Sequence, residues 1–236
     1  MAALDDPLAL ALWQARASAR PVPEGTVAAG ALGQADAERV AAALADATRA
    51  AGGRQVGWKL GATSEAVQAR FGTDRPFPAP LFDTTALADG GELSLRHLVA
   101  PRLEPELGFL VEDGVATPCA CIELVDARLR PSWTVTLAEA VADFGMHAHA
   151  VFGEPVAARG RVPAAVRRDG ETLWTGEGDL EAAEASLRWL PDGWLEACGG
   201  RALVATGTLC DPLVLEPGAW EVDLGPLGAL RVTVVP

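Results

Sequence analysis

The stretch Pro101–Phe109, PRLEPELGF, limits what this chain can fold into more than any other. Glu104 and Glu106 stand two residues apart among apolar neighbours. On a strand, side chains alternate, so both carboxylates share one face while Leu103 and Leu107 take the other, with Pro105 between them. Two adjacent carboxylates repel each other and resist desolvation unless a cation or protons compensate. Either the acidic face lies in solvent on an edge strand, or the pair is buried around a cation. A divalent metal is the simplest such cation. Mg²⁺ or Mn²⁺ suits a carboxylate site that keeps water or substrate positions open.

Half of the 236 residues are hydrophobic, enough for one medium domain or a core with a small subdomain. The net charge of −13 argues against nucleic acid or an anionic membrane as partner. An anionic substrate would then need a local Lys or Arg to receive it. Cys119, Cys121, Cys198 and Cys210 have neither zinc-ligand nor thioredoxin-like spacing and read as small core residues in a reduced compartment. Met1–Leu12 carries Asp5 and Asp6 without a basic segment, and no apolar run reaches membrane-spanning length, so a cytoplasmic protein is expected.

In chain order, Asp6–Ser18 predicts a helix with Asp6 as its cap and Pro7 in its first turn. Gln34–Ala51 predicts a second, with Val40, Leu44 and Ala47 at helical spacing and Gly52-Gly53 as its end. Gln55–Gly61 reads as a short buried strand holding Lys59, the only lysine of the chain. That amine either reaches out to solvent or is held inside as a site cation able to bind a carboxylate and move a proton. Ser64–Phe71 predicts a helix that forms a lid or turn over the site, and the Pro-rich Gly72–Phe82 an irregular loop. A strand is expected over Ile122–Val125 and a short helix over Leu137–Phe144. His147 and His149 share a face if they lie on a strand. Without a nearby Cys or third His they read as pocket lining beside a metal, or as packing, more than as a zinc site. Arg-Asp-Gly-Glu at 168–171 predicts a hairpin turn, Trp194–Cys198 a helix, Ala202–Thr206 a buried strand, and Val222–Val235 a closing hairpin. Gly207 in Thr206-Gly207-Thr208 would let the backbone approach a ligand closely.

Taken in order, VGWKLGATS (56–64), PRLEPELGF (101–109), IELVDAR (122–128), DFGMHAHAVFG (143–153) and VATGT (204–208) resemble the hydratase/decarboxylase branch of the fumarylacetoacetate hydrolase superfamily. That branch includes 2-keto-4-pentenoate hydratases and 4-oxalocrotonate decarboxylases. The resemblance implies a metal triad of Glu104, Glu106 and Glu123, a catalytic Lys59, and substrate contacts from Thr208, Phe77, Arg128 and Asp143. It implies Mg²⁺ or Mn²⁺ as cofactor, a small 2-keto or 2-hydroxy acid as substrate, and a homo-oligomer. The chain also departs from the pattern: Phe77 stands where hydratases carry an Asp, Phe144 where relatives carry Asn, and the connection from Glu106 to Glu123 is short.

The expected fold is α+β: a small N-terminal helical α/β region over residues 1–75, then a twisted, mostly antiparallel β-roll over 76–236 whose interior the triad lines. The expected activity is a metal-dependent hydro-lyase on a 2-hydroxy-dienoate or 2-keto-enoate. The alternatives are a decarboxylase using the same enolate chemistry, which a drier pocket at Phe77 would favour, and a degenerate, non-catalytic partner subunit.

Overall fold

Helix signals at the N-terminal end act where the sequence places them. The computed structural model describes residues 4–28 and 30–236. In α1 (Pro7–Ser18) the Asp6 carboxylate accepts hydrogen bonds from the N–H groups of Leu8 and Ala9, and Pro7 fills a first-turn position that needs no donor. α2 (Gln34–Ala50) is followed by Gly52 at φ +96°, which turns the chain sharply. Leu8, Leu12, Val40 and Leu44 from these helices pack with Phe82, Leu129 and Phe144 in one core.

Beyond α2 the chain consists of β1 (Gln55–Gly61), α3 (Glu65–Phe71), β2 (Phe77–Phe82), β3 (Ala86–Leu87), β4 (Gly91–Ser94), β5 (Pro101–Glu112), β6 (Val115–Asp126), α4 (Leu137–Ala142), β7 (His147–Phe152), β8 (Arg161–Arg168), β9 (Glu171–Asp179), α5 (Leu180–Ala185), β10 (Arg201–Thr208), β11 (Leu213–Val214), β12 (Gly218–Asp223) and β13 (Ala229–Val235). Eight strands form a mixed sheet in the order β2-β1-β10-β5-β6-β7-β3, with β11 also on β5, and five form a second sheet, β4-β13-β12-β8-β9. The pairs β1–β10, β3–β7 and β4–β13 are parallel. β1, which precedes residue 75, is thus hydrogen-bonded within the larger sheet. Among the described residues no helix is long and apolar enough to cross a membrane.

The hairpin β5–β6 is the spine. It pairs without interruption from Pro101↔Asp126 to Glu112↔Val115, and its two turn residues, Asp113 and Gly114, have φ of +51° and +75°, as a tight hairpin requires. Leu103, Leu107, Ile122 and Leu124 face the main core with Trp220 and Val222 of the second sheet. Each such side chain contributes about 1.5–3 kcal/mol on burial. A one-residue slip would turn Glu104 and Glu106 into that core, so the leucines fix the register that aims the glutamates the other way.

The structure corrects two local expectations. Phe77–Phe82 is a strand, not an irregular loop. It lies at the sheet's edge against β1, where Pro78 and Pro80, two apart, can both turn their missing N–H to the open side. Trp194–Cys198 is not a helix: only Glu196–Cys198 forms a 3-10 turn before Gly199 and Gly200, both at positive φ.

Candidate active site

Register brings the acidic residues together. Glu104 on β5 lies directly opposite Glu123 on β6, and Glu106 follows two residues along the same face. One oxygen from each carboxylate lies within 4.8 Å of the others. All three glutamates are buried, as is Lys59. Lys59 enters from β1, two strands away from β5. Its Nζ lies 2.8 Å from Glu123 Oε2 and donates to the carbonyl of Gly145 at 3.0 Å.

One ammonium cannot neutralise three carboxylates. Burial, only partly countered by Lys59, pushes the Glu104 carboxyl up to about 7. Burial together with the charges of Glu123 and Glu104 raises Glu106 well above the usual carboxylate range. Glu123 behaves in the opposite way: burial would raise it, but Lys59 and His147 outweigh that and hold it low. For Lys59, burial would lower the pKa, yet the three carboxylates together raise it. Glu123 and Lys59 therefore form an ion pair, while Glu104 and Glu106 want a further positive charge. Three oxygen donors with uncompensated charge fit a hard divalent cation.

Each carboxylate is also held by its surroundings. Glu106 Oε2 accepts from the N–H of Gly207 at 2.8 Å. Gly207 sits at φ +99°, and a Cβ there would lie 2.0 Å from Thr63 Oγ1, so only glycine permits this approach. Glu123 Oε1 lies 2.9 Å from His147 Nδ1, whose Nε2 is 2.9 Å from Thr85 Oγ1. His147 thus buttresses Glu123 and does not line the cavity, and neither does His149.

The cavity above the glutamates measures ≈ 310 Å³. A break in the sheet opens it. β10 leaves β5 after the pair Thr208↔Glu106, and β11 rejoins it at Leu213↔Leu103. The intervening Leu209–Pro212 form one wall and α3 forms another. Bulges of this kind are common beside active sites. Phe77 lines the cavity with its ring packed on Gly61, where a Cβ would lie 2.4 Å from the ring. A Cβ at Gly145 would touch both the Lys59 terminus at 3.0 Å and the Phe77 ring at 3.3 Å. Thr208 also lines the cavity, but its hydroxyl donates to the carbonyl of Cys210 at 2.7 Å.

Arg128 and Asp143 do not line the cavity. They form a buried network behind it. Arg128 Nη1 lies 3.0 Å from Asp143 Oδ2 and its Nε 3.5 Å from Asp126 Oδ2, while Nη2 donates to the carbonyl of His147 at 2.9 Å. Arg16 of α1 completes the network, 2.7 Å from Asp143 Oδ1. The pair clamps Phe144, Gly145 and Met146, all three at positive φ. This left-handed turn presents the Gly145 carbonyl to Lys59. Phe is poorly suited to such a backbone where Asn is well suited, and the Arg16 guanidinium, 4.9 Å above the Phe144 ring, holds it in place. Nothing in the local sequence pairs Arg16 with a residue 127 positions away. Arg70 and Trp133, which also line the cavity, belong to no motif either.

The structure therefore brings Lys59, Glu104, Glu106, Phe77 and Thr208 around one space, with Glu123 buried against Lys59 and the other two carboxylates, and sets Arg128 and Asp143 behind it. No family model matches the chain. It is 30% identical over 213 residues, 80% of this chain and 81% of the relative, to the 2-keto-4-pentenoate hydratase of Burkholderia vietnamiensis (strain G4 / LMG 22486). The 2-keto-4-pentenoate hydratase of Paraburkholderia phymatum is 31% identical over 213 residues, covering 80% of this chain and 81% of that one. In fold it matches the 4-oxalocrotonate decarboxylase of Pseudomonas putida G7, complexed with magnesium and adipate, at a TM-score of 0.82 and 21% identity, covering 97% of this chain and 96% of that one. The order of motifs, the shared α+β architecture and these relatives agree: the chain belongs to the hydratase/decarboxylase branch of the fumarylacetoacetate hydrolase superfamily.

Proposed function

We propose that the chain is a divalent-metal-dependent hydro-lyase acting on a 2-hydroxy-dienoate or 2-keto-enoate, with Glu104, Glu106 and Glu123 holding Mg²⁺ or Mn²⁺. The observation that supports it is the convergence of three buried carboxylates against a single lysine at the closed end of a cavity of small-molecule size. A cation bound there supplies a Lewis acid that favours the enolate form of a 2-keto acid. The remaining work falls to this chain's own groups. Lys59 Nζ, steered by Glu123 and the Gly145 carbonyl, is placed to hold or move a proton at the edge of the cavity. The Gly207 N–H keeps Glu106 turned toward its neighbours. Phe77 and Met146 line the space near Lys59 and exclude water from it. Thr208 stands on the wall formed by the broken strand, placed to orient a substrate carboxylate. Arg128 and Asp143 act at one remove, by fixing the turn that carries Gly145. A cytoplasmic location and a homo-oligomeric assembly belong to the same proposal.

A second reading, loss of CO₂ from a related 2-keto acid, is favoured by one feature. Phe77 presents a hydrocarbon ring where water would need to be activated, and a dry wall assists decarboxylation more than hydration.

Calorimetric titration of Mg²⁺ and Mn²⁺, with and without oxalate, tests the site. Oxalate imitates the chelating end of a 2-keto acid. Metal-dependent oxalate binding that disappears in Glu106→Gln is the expected result, and product analysis of dienoate turnover then separates hydrate from CO₂. No metal binding by the unmodified protein would overturn both enzyme readings and leave the non-catalytic subunit.

A further inference from the structure

The three glutamates are not held alike. Among the described residues Glu104 has no hydrogen-bond or ion-pair partner, and Glu106 has one, the N–H of Gly207 on its Oε2. Glu123 is engaged on both oxygens. Its Oε2 lies 2.8 Å from Lys59 Nζ, and its Oε1 lies 2.9 Å from His147 Nδ1. Oε2 is buried and, although paired in charge with Lys59, takes no hydrogen bond of good geometry. A carboxylate only accepts, so the hydrogen between His147 and Glu123 belongs to the ring nitrogen. That bond fills one side of Glu123 and leaves Oε2 as the oxygen open to a further partner.

His147 is itself gripped from several directions. A one-residue slip in the register of β7 on β6, between Leu124 and Val125, sets His147 opposite Val125, on the face that Glu123 shares two residues earlier. Its carbonyl accepts from Arg128 Nη2 at 2.9 Å and from Arg16 Nη1 at 3.3 Å. Its Nε2 lies 2.9 Å from the Thr85 hydroxyl, which is also 2.9 Å from the carbonyl of Phe82. The residue is buried, so neither its ring nor its backbone can move without breaking one of these contacts.

Resting on the reading of the three glutamates as a metal site, we propose that His147, braced by Thr85, is a positioning residue that makes Glu123 a one-oxygen ligand and so sets which ion the site prefers. Mg²⁺ is small and demands near-octahedral geometry, whereas Ca²⁺ takes more oxygens and accepts both from one carboxylate. A Glu123 tied at Oε1 cannot turn both oxygens toward the ion, which suits the smaller ion and penalises the larger. Released from His147, the carboxylate is free to rotate and chelate Ca²⁺. Groups behind a ligand tune a metal site in this way by fixing the orientation of the ligand. A merely structural loss weakens every ion alike, while loss of this hydrogen bond shifts the balance between ions.

Calorimetric titration of Mg²⁺ and of Ca²⁺ into the protein, with no substrate present, tests this. His147→Leu should bind Mg²⁺ about ten-fold more weakly with Ca²⁺ affinity changed by less than about two-fold, so the preference for Mg²⁺ over Ca²⁺ falls. His147→Asn places an amide N–H where Nδ1 stands and should restore most of that preference. His147→Gln, whose amide reaches toward Thr85 instead, should not. Thr85→Val keeps the ring but removes its far partner, and should lower the preference about three-fold. It decides the matter by itself where the His147 variants fail to fold. Equal weakening of both ions, the same preference in His147→Asn as in His147→Leu, or an unchanged preference in Thr85→Val would overturn the proposal while leaving the metal site intact. Failure of the unmodified protein to bind either ion would overturn the metal-site reading and this proposal with it.

Discussion

Two buried clusters of charge lie back to back in this molecule, and they are built on opposite principles. Behind the cavity, Arg16 and Arg128 face Asp143 and Asp126, two cations against two anions, with backbone groups taking up further donors and acceptors. At the cavity, three carboxylates face one ammonium. The balanced cluster carries no surplus charge and does structural work. The unbalanced cluster is costly when fully ionised and is relieved when a ligand brings positive charge or protons are taken up. Incomplete compensation at a concave site, more than burial of charge as such, is what marks function.

The comparison breaks most visibly at Asp143. Asp143→Ala leaves the buried Arg128 and the partly buried Arg16 without their shared partner, and unfolding in urea should show a loss of about 3 kcal/mol. Glu106→Gln, at a position equally buried, removes a surplus charge, so the metal-free protein should keep or gain stability. A loss of less than about 1 kcal/mol in the Asp143 variant would mean that the rear network is dispensable.

The next effect is a pH dependence to which the unbalanced cluster and the buried histidines contribute with opposite signs, since burial holds His149 down at about 4 and its contribution therefore rises with pH. The Glu104 carboxyl lies at about 7 in the folded chain against an ordinary value of 4.5. Between those values the folded state binds the extra proton, so this carboxyl's contribution to the stability of the metal-free protein falls as pH rises through that window, by on the order of 3 kcal/mol at most. Glu106 shifts in the same direction. Saturating Mg²⁺ should flatten the slope, and urea midpoints at pH 5 and pH 8 with and without the ion check it. A difference between pH 5 and pH 8 that saturating Mg²⁺ leaves unchanged would contradict the charge count.

The smallest effect tunes the cavity itself. Phe77→Asp places a further carboxylate near Lys59 and a polar foothold for water. The ratio of hydrated product to CO₂ should rise several-fold, about 1 kcal/mol in relative barrier. An unchanged ratio would mean that dryness at this wall does not steer the reaction.

The parts of this arrangement that were legible in the sequence are those set by short-range alternation. Glu-x-Glu between leucines gave a shared face, Lys59 stood out as the only lysine, and Gly207 marked a close approach that the Thr63 contact explains. The N-cap at Asp6 and the hairpin turn at Asp169-Gly170, with φ of +51° and +84°, follow from equally local chemistry. The rear network was not legible, because Arg16 meets Asp143 only after α1 packs across the turn following α4. Nor was the strand at Phe77–Phe82, since two prolines look like a loop until an open sheet edge is supplied. The role of His147 was hidden for a similar reason: its partners Glu123 and Thr85 come from two other parts of the chain.

The gap between β10 and β11 has a consequence for how such a protein can change. Leu209 still donates its N–H to the Pro105 carbonyl at 2.9 Å, but the three residues Cys210–Pro212 bridge a place where the ladder against β5 is interrupted, so substitutions at those three need not preserve strand pairing with the glutamate-bearing hairpin. The chemistry is written into a rigid part of the sheet, and much of the fit to the substrate into a detour beside it. Over generations the molecule can redraw the outline of what it accepts while the reaction at its floor stays the same.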